Sequence, residues 1–118
     1  MNTVGQQERT AVAYEILRQL GGSNKLSALV GAHTFVHGTE DNGDVFLSFK
    51  LKASPRFNFI KIILNWDDLY TVELAKIPSG LRALEYRYKP DASFSRIDSD
   101  SLKSLLEEEC RCYFSLTR

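Results

Sequence analysis

The hydrophobic period of this chain changes twice, and that change limits its fold more than any other feature. Ala13, Ile16, Leu17 and Leu20 recur at the spacing of one helical face, with Glu8, Glu15 and Arg18 left to water. From Val45 the period becomes two. Val45, Leu47, Phe49 and Leu51 alternate with Phe46, Ser48, Lys50 and Lys52, as in a half-buried strand. After Asp98 the helical spacing returns in Leu102, Leu105, Leu106, Cys110 and Tyr113. A chain that is helical at both ends and strand-like between them must cover one face of its sheet with those helices.

The boundaries follow from the punctuation. Thr3 with Gln6 has capping-box spacing, and Gly21-Gly22 closes the first helix, predicted over 4–20. Residues 24–37 predict a short irregular or helical piece, then a first strand near 34–38. A turn at 38–44 follows, rich in Gly, Asn and Asp. Phe59 to Leu64 and Leu69 to Ile77 predict two more strands around a tight turn at Asn65-Trp66-Asp67-Asp68. Pro78-Ser79-Gly80 is another turn. The alternation of Leu84, Tyr86 and Tyr88 with Glu85, Arg87 and Lys89 predicts the last strand. Pro90 to Arg96 reads as a linker. Asp98, Ser99 and Asp100 suit the start of a second helix over 99–113.

The expected fold is a single α+β domain over 1–118. An antiparallel sheet of four to five strands is flanked by an N-terminal and a C-terminal helix packed on one face. The expected core is Ile16, Leu17, Leu20, Val45, Leu47, Phe49, Ile62, Leu64, Val72, Leu74, Leu84, Tyr86, Leu102, Leu105 and Leu106. The opposite, wet face is expected to carry Ser48, Lys50, Lys52, Lys61, Glu73, Glu85, Arg87 and Lys89.

With 118 residues, 43% apolar and 25% charged, the composition suits a small globular domain and not a disordered chain. No apolar run reaches the roughly 20 residues of a membrane span, and Met1 to Gln6 has no features of a signal peptide. Fifteen basic residues balance fifteen acidic ones. The balance is not local: residues 1–49 sum to −2, residues 50–96 to +4 and residues 97–118 to −2.

Three blocks carry a family resemblance. They are Glu15-Ile16-Leu17-Arg18-Gln19-Leu20-Gly21-Gly22 with Gly31-Ala32 and Phe35; Leu47-Ser48-Phe49-Lys50-Leu51; and Ile60 to Leu64 leading to Asp68-Leu69-Tyr70-Thr71-Val72-Glu73-Leu74. In their order and spacing the chain resembles small proteins encoded by bacteriophages, prophages and related mobile elements, a group generally without an assigned activity. The chain departs from that pattern in its longer loop at 38–44 and its Pro78-Ser79-Gly80 turn. The resemblance implies life in a bacterial host cytoplasm and a role in occupying a host surface, with counter-defence as one such role. It supplies no catalytic or binding residues.

Several constellations in the sequence are candidates for chemistry. His33 and His37, four apart, would share a face of a helix or a regular strand, and Cys110 and Cys112 could complete a metal set. C-x-C is nevertheless not the usual knuckle spacing. On a helix Cys110 and Cys112 point about 200° apart, against a disulfide. Asp67-Asp68 suits a turn better than acid–base work. No phosphate loop or nucleophile motif is present. The expectation is therefore a non-enzyme without cofactor or metal. Two binding surfaces remain. The basic strand face of Lys50, Lys52, Lys61, Arg87 and Lys89, with Phe46 and Phe57 to stack bases, would suit nucleic acid. Glu107, Glu108 and Glu109, on a helix face, would suit a host protein, as would the basic face itself. Net neutrality favours the protein partner. Self-assembly through a sheet edge or helix face is a third class.

Overall fold

The computed structural model describes residues 4–114, with side chains from Thr10 onward. Its elements are α1 (Val4–Gln19), α2 (Ser23–Val30), β1 (His33–Thr39), β2 (Val45–Lys50), β3 (Phe59–Leu64), β4 (Tyr70–Ala75), β5 (Ala92–Ile97) and α3 (Ser99–Cys110). A 3₁₀ helix, Gly80–Leu84, interrupts the connection from β4 to β5. The five strands form one open antiparallel sheet in the order β1-β2-β3-β4-β5. This is the expected α+β class, with three helices instead of two. Thr3, expected to cap α1, lies outside the described residues.

Strand alternation sorts the sheet into two faces. Leu47, Phe49, Ile60, Ile62, Val72 and Leu74 all point to the helix side and are buried. There they meet Ile16 and Leu20 of α1, Leu26 and Val30 of α2, and Leu102, Leu106 and Cys110 of α3 in one core. α2 ends in a left-handed cap at Gly31. α3 begins as its sequence dictates, with Asp98 Oδ1 accepting from the Ser101 N–H at 2.8 Å.

Four expectations are corrected. The last strand is Ala92–Ile97, and Leu84 to Lys89 lies outside the sheet. Leu84 is consequently 81% exposed instead of belonging to the core, and Tyr86 is half-buried. Both segments have an apolar side, but it is Ala92, Phe94 and Ile97 that pack against the core, while Tyr88 of the other segment is held outside the sheet by its hydrogen bond to Glu73. α3 stops at Cys110 because Arg111 adopts a left-handed backbone, φ 57°. The chain then folds back to bury Phe114, while Tyr113, expected on the apolar stripe, is exposed. Finally, the outer sheet face is wet only toward its edges. Ser48 is 6% exposed at its centre and Ile63 and Ala75 are buried, while Lys50 and Val36 are exposed.

Leu105 is only half-buried, whereas Leu106 is fully enclosed. Urea unfolding should therefore show a loss of about 2–5 kcal/mol for Leu106→Ala and a smaller one for Leu105→Ala. Equal losses would place the helix in a different rotation. The Cys110 thiol offers a second check. Burial pushes it up to about 12, so alkylation near neutral pH should modify it only after unfolding.

Candidate functional site: a clamped basic loop

The outer face is organised around a cation. Lys61 lies mid-strand in β3, opposite Ser48 on β2 and Glu73 on β4. Its side chain is only 16% exposed and its Nζ is 2.8 Å from Glu40 Oε2. The same ammonium sits 4.5 Å from the centroid of the Phe46 ring and 5.7 Å from that of Tyr88. The Phe46 ring in turn lies across Gly38, its cross-strand partner, where a β-carbon would come within 3.0 Å of the ring. Lys61 is thus neutralised inside the fold and does not offer its charge to a ligand.

Tyr88 reaches this cluster from the β4–β5 loop, residues 76–91. Its hydroxyl donates to Glu73 Oε1 at 2.7 Å, and its ring meets Phe59 edge-on at 5.4 Å. Both ends of the loop are fastened as well. The Asn58 side chain donates to the Ile77 carbonyl at 2.9 Å and accepts from the Ile77 N–H at 2.7 Å. It thereby pairs with the chain as another strand residue would. Asp91 Oδ2 accepts from the Lys76 N–H at 2.7 Å, and the Asp91 N–H donates to the Leu74 carbonyl. Connections this long usually carry a function if they are ordered, and this one is ordered by five specific hydrogen bonds.

What the clamps hold outward is unusual in composition. Gly80, with φ +67°, turns the chain into the 3₁₀ helix, a conformation costly for other residues. Leu81 and Leu84 then project at i and i+3, which share an edge of a 3₁₀ helix. They are 83% and 81% exposed. The same loop carries Lys76, Arg82, Arg87 and Lys89, all exposed, against Glu85 and Asp91. It therefore combines two exposed apolar side chains with a net basic sequence. Sequence reasoning missed the apolar pair because Leu84 fits a period-two pattern. The Pro78-Ser79-Gly80 break just before Leu81 was the signal that the sheet had ended.

The other sequence candidates are dispersed. Lys50 and Lys52 are exposed, but Lys52 lies past the end of β2, where its N–H donates to the Val30 carbonyl. Phe57, expected to stack bases, is buried. Arg87 and Lys89 belong to the loop. The five cations therefore do not form one strand face. Of the acidic run, Glu107 accepts from the Phe114 N–H at 2.8 Å. Glu109 receives Arg56 both on its carbonyl and, at 3.6 Å, on its carboxylate. Glu108 stays exposed. A register shift between His33 and Val36 places His33 opposite Lys50 and His37 opposite Leu47, hence on opposite faces. Among the described residues, no three His, Cys, Asp or Glu side chains are grouped to hold a metal. No helix there is long and apolar enough to cross a membrane. Cys110 and Cys112 are both free thiols.

The Tyr88 latch has a pH signature. Burial first, and the hydrogen bond to Glu73 second, raise its ionisation well above the ordinary phenol range. The folded chain therefore holds this proton more tightly than the unfolded chain. Its contribution is complete below about pH 10 and is lost as pH rises toward the raised value. Thermal melts between about pH 8 and 11 should show an alkaline loss of stability that Tyr88→Phe reduces, at a cost near neutrality of about 0.5–1.5 kcal/mol. An identical alkaline profile in the variant would show that the latch is not formed. No model of a known protein family matches this chain, and no curated protein or solved structure matches it either.

Proposed function

We propose that this chain is a small phage or mobile-element accessory protein that acts in a bacterial host cytoplasm by binding a host protein, with counter-defence as the role such binding would serve. It works without a catalytic centre or cofactor. The phage setting comes from the resemblance in the three sequence blocks. The protein-binding reading is carried by one observation: Leu81 and Leu84 stand more than 80% exposed on a loop fastened at its two ends and at Tyr88. Isolated exposed apolar side chains need no explanation, but two on a pre-ordered edge resemble interface anchors. Pre-ordering also reduces the entropy lost on docking. The exposed cations of the same loop select the partner's chemistry: an apolar cleft with acidic side chains near it.

Nucleic acid is the second reading, and the geometry favours it less. Lys61 is paired with Glu40, Phe57 is buried, and the remaining cations do not line up as a phosphate track.

Affinity capture from host lysate, with and without nuclease, separates the two. A stoichiometric host protein should survive nuclease treatment. Leu81→Asp combined with Leu84→Asp should weaken its binding at least ~30-fold, with an unchanged thermal melt. Lys50→Glu with Lys52→Glu should leave it intact. The reading fails if the chain instead binds DNA or RNA at about micromolar concentration in about 150 mM salt and loses that binding in the lysine double variant.

A further inference from the structure

The two edges of the sheet are built differently. β5 is guarded in the ways that discourage strand addition. It follows Pro90, and its register with β4 shifts between Tyr70 and Val72. Arg96 stands on it in left-handed backbone, φ 59°, with its guanidinium 3.3 Å from Asp67.

β1 carries none of these guards along most of its length. From His33 to Thr39 it holds no Lys, Arg, Asp, Glu or Pro. β2 is its only strand neighbour among the described residues. Its irregularity is confined to the start, at the shift between His33 and Val36 where Thr34 takes φ 57°. Val36 to Thr39 run in unbroken register with β2. Val36 is 48% exposed on the outer side of this edge. On the helix side, a groove of about 270 Å³ separates α1 from β1, lined by Ala13, Tyr14, Leu17, Phe35, His37 and Leu47. Tyr14 stands over it, 66% exposed.

We infer that β1 pairs antiparallel with β1 of a second copy of this chain, joining the two five-stranded sheets into one continuous sheet across a two-fold axis. Three observations favour a second copy over any other strand. The edge holds no Lys, Arg, Asp or Glu, so self-pairing sets none of these charges opposite each other. A two-fold axis uses the same patch twice, and this patch has an exposed apolar or aromatic side chain on each side: Val36 on the outer face, and Tyr14 at the groove, beside His37, on the helix face. Each α1 would then face its counterpart across the axis, with the exposed Tyr14 side chains over the two grooves. The guarded β5 edge closes the assembly at two, where an unguarded one would permit open-ended growth. This inference does not depend on the host-partner reading, since the loop and β1 lie at different positions in the sheet order.

Sedimentation velocity and light scattering on the full chain, from about 1 to 200 µM, test it. The mass should rise toward twice the 13.4 kDa of one chain. Val36→Lys should hold it at the single-chain mass across the range, while Val36→Thr, which adds no charge, should still dimerise. Amide exchange at Val36–Thr39 should slow as concentration rises in the wild type and not in Val36→Lys. A single-chain mass at every concentration would overturn the proposal. So would growth beyond two copies, or a dimer that Val36→Lys leaves intact and in which β1 exchange does not change.

Discussion

The ammonium of Lys61 is the constraint around which the outer half of the molecule is arranged. A lysine in the middle strand of a five-stranded sheet must reach water or find a counter-charge. Glu40 provides the charge, from the turn between β1 and β2, and the Phe46 and Tyr88 rings provide polarisable walls. A cation over an aromatic face gains roughly 0.5–2 kcal/mol as its water is removed. Removing one member of a largely buried pair costs more than the pair contributes, because a charge is left behind. The loop that brings Tyr88 therefore closes an environment that Lys61 requires, and that requirement fixes the path of the loop.

From this follows the placement of the exposed leucines. A loop of this length without internal support would sample many conformations. Here Tyr88 pins its second half to Glu73, while Asn58 and Asp91 pin its first residues to the ends of β3 and β4. The 3₁₀ helix lies between these points, with Leu81 and Leu84 exposed on it. The basic excess of residues 50–96 is divided: Lys61 is paired inside the fold, and Lys76, Arg82, Arg87 and Lys89 are exposed on the loop.

The features legible in the sequence were those decided by neighbours a few residues away. Leu102, Leu106 and Cys110 lie one turn apart, so spacing places them on one helical face, and that face is buried. Leu47 with Phe49, and Val72 with Leu74, follow from alternation against a covered face. The two strand candidates near the C-terminal end show where local reading stops. Leu84-Glu85-Tyr86-Arg87-Tyr88 alternates more strongly than Ala92-Ser93-Phe94-Ser95, yet β4 pairs with the weaker one. The choice rests on which side chains the core accepts and on Tyr88 already being engaged with Glu73. The pairing of the candidate charges was illegible for the same reason. Their types were readable, but Lys61 finds Glu40 and Glu109 finds Arg56 only after the chain has folded. The bulge at Thr34, which separates His33 from His37, leaves no mark that period-two alternation can register.

The two proposals bear on each other through geometry. β1 is one end of the strand order, and the anchor loop joins β4 to β5 at the other. With strands about 4.8 Å apart, the β4–β5 boundary lies some three and a half spacings from β1, or about 17 Å. A dimer closed through β1 would carry two copies of the loop related by the two-fold axis, each rooted between β4 and β5 and reaching over the outer face to Lys61 through Tyr88. That arrangement suits a target that is itself symmetric or repeated, where the second loop docks at high effective concentration once the first is bound. It also explains why a loop with only two apolar anchors could suffice. Each contact can be modest in area because the sheet edge, and not the loop, holds the two contacts together.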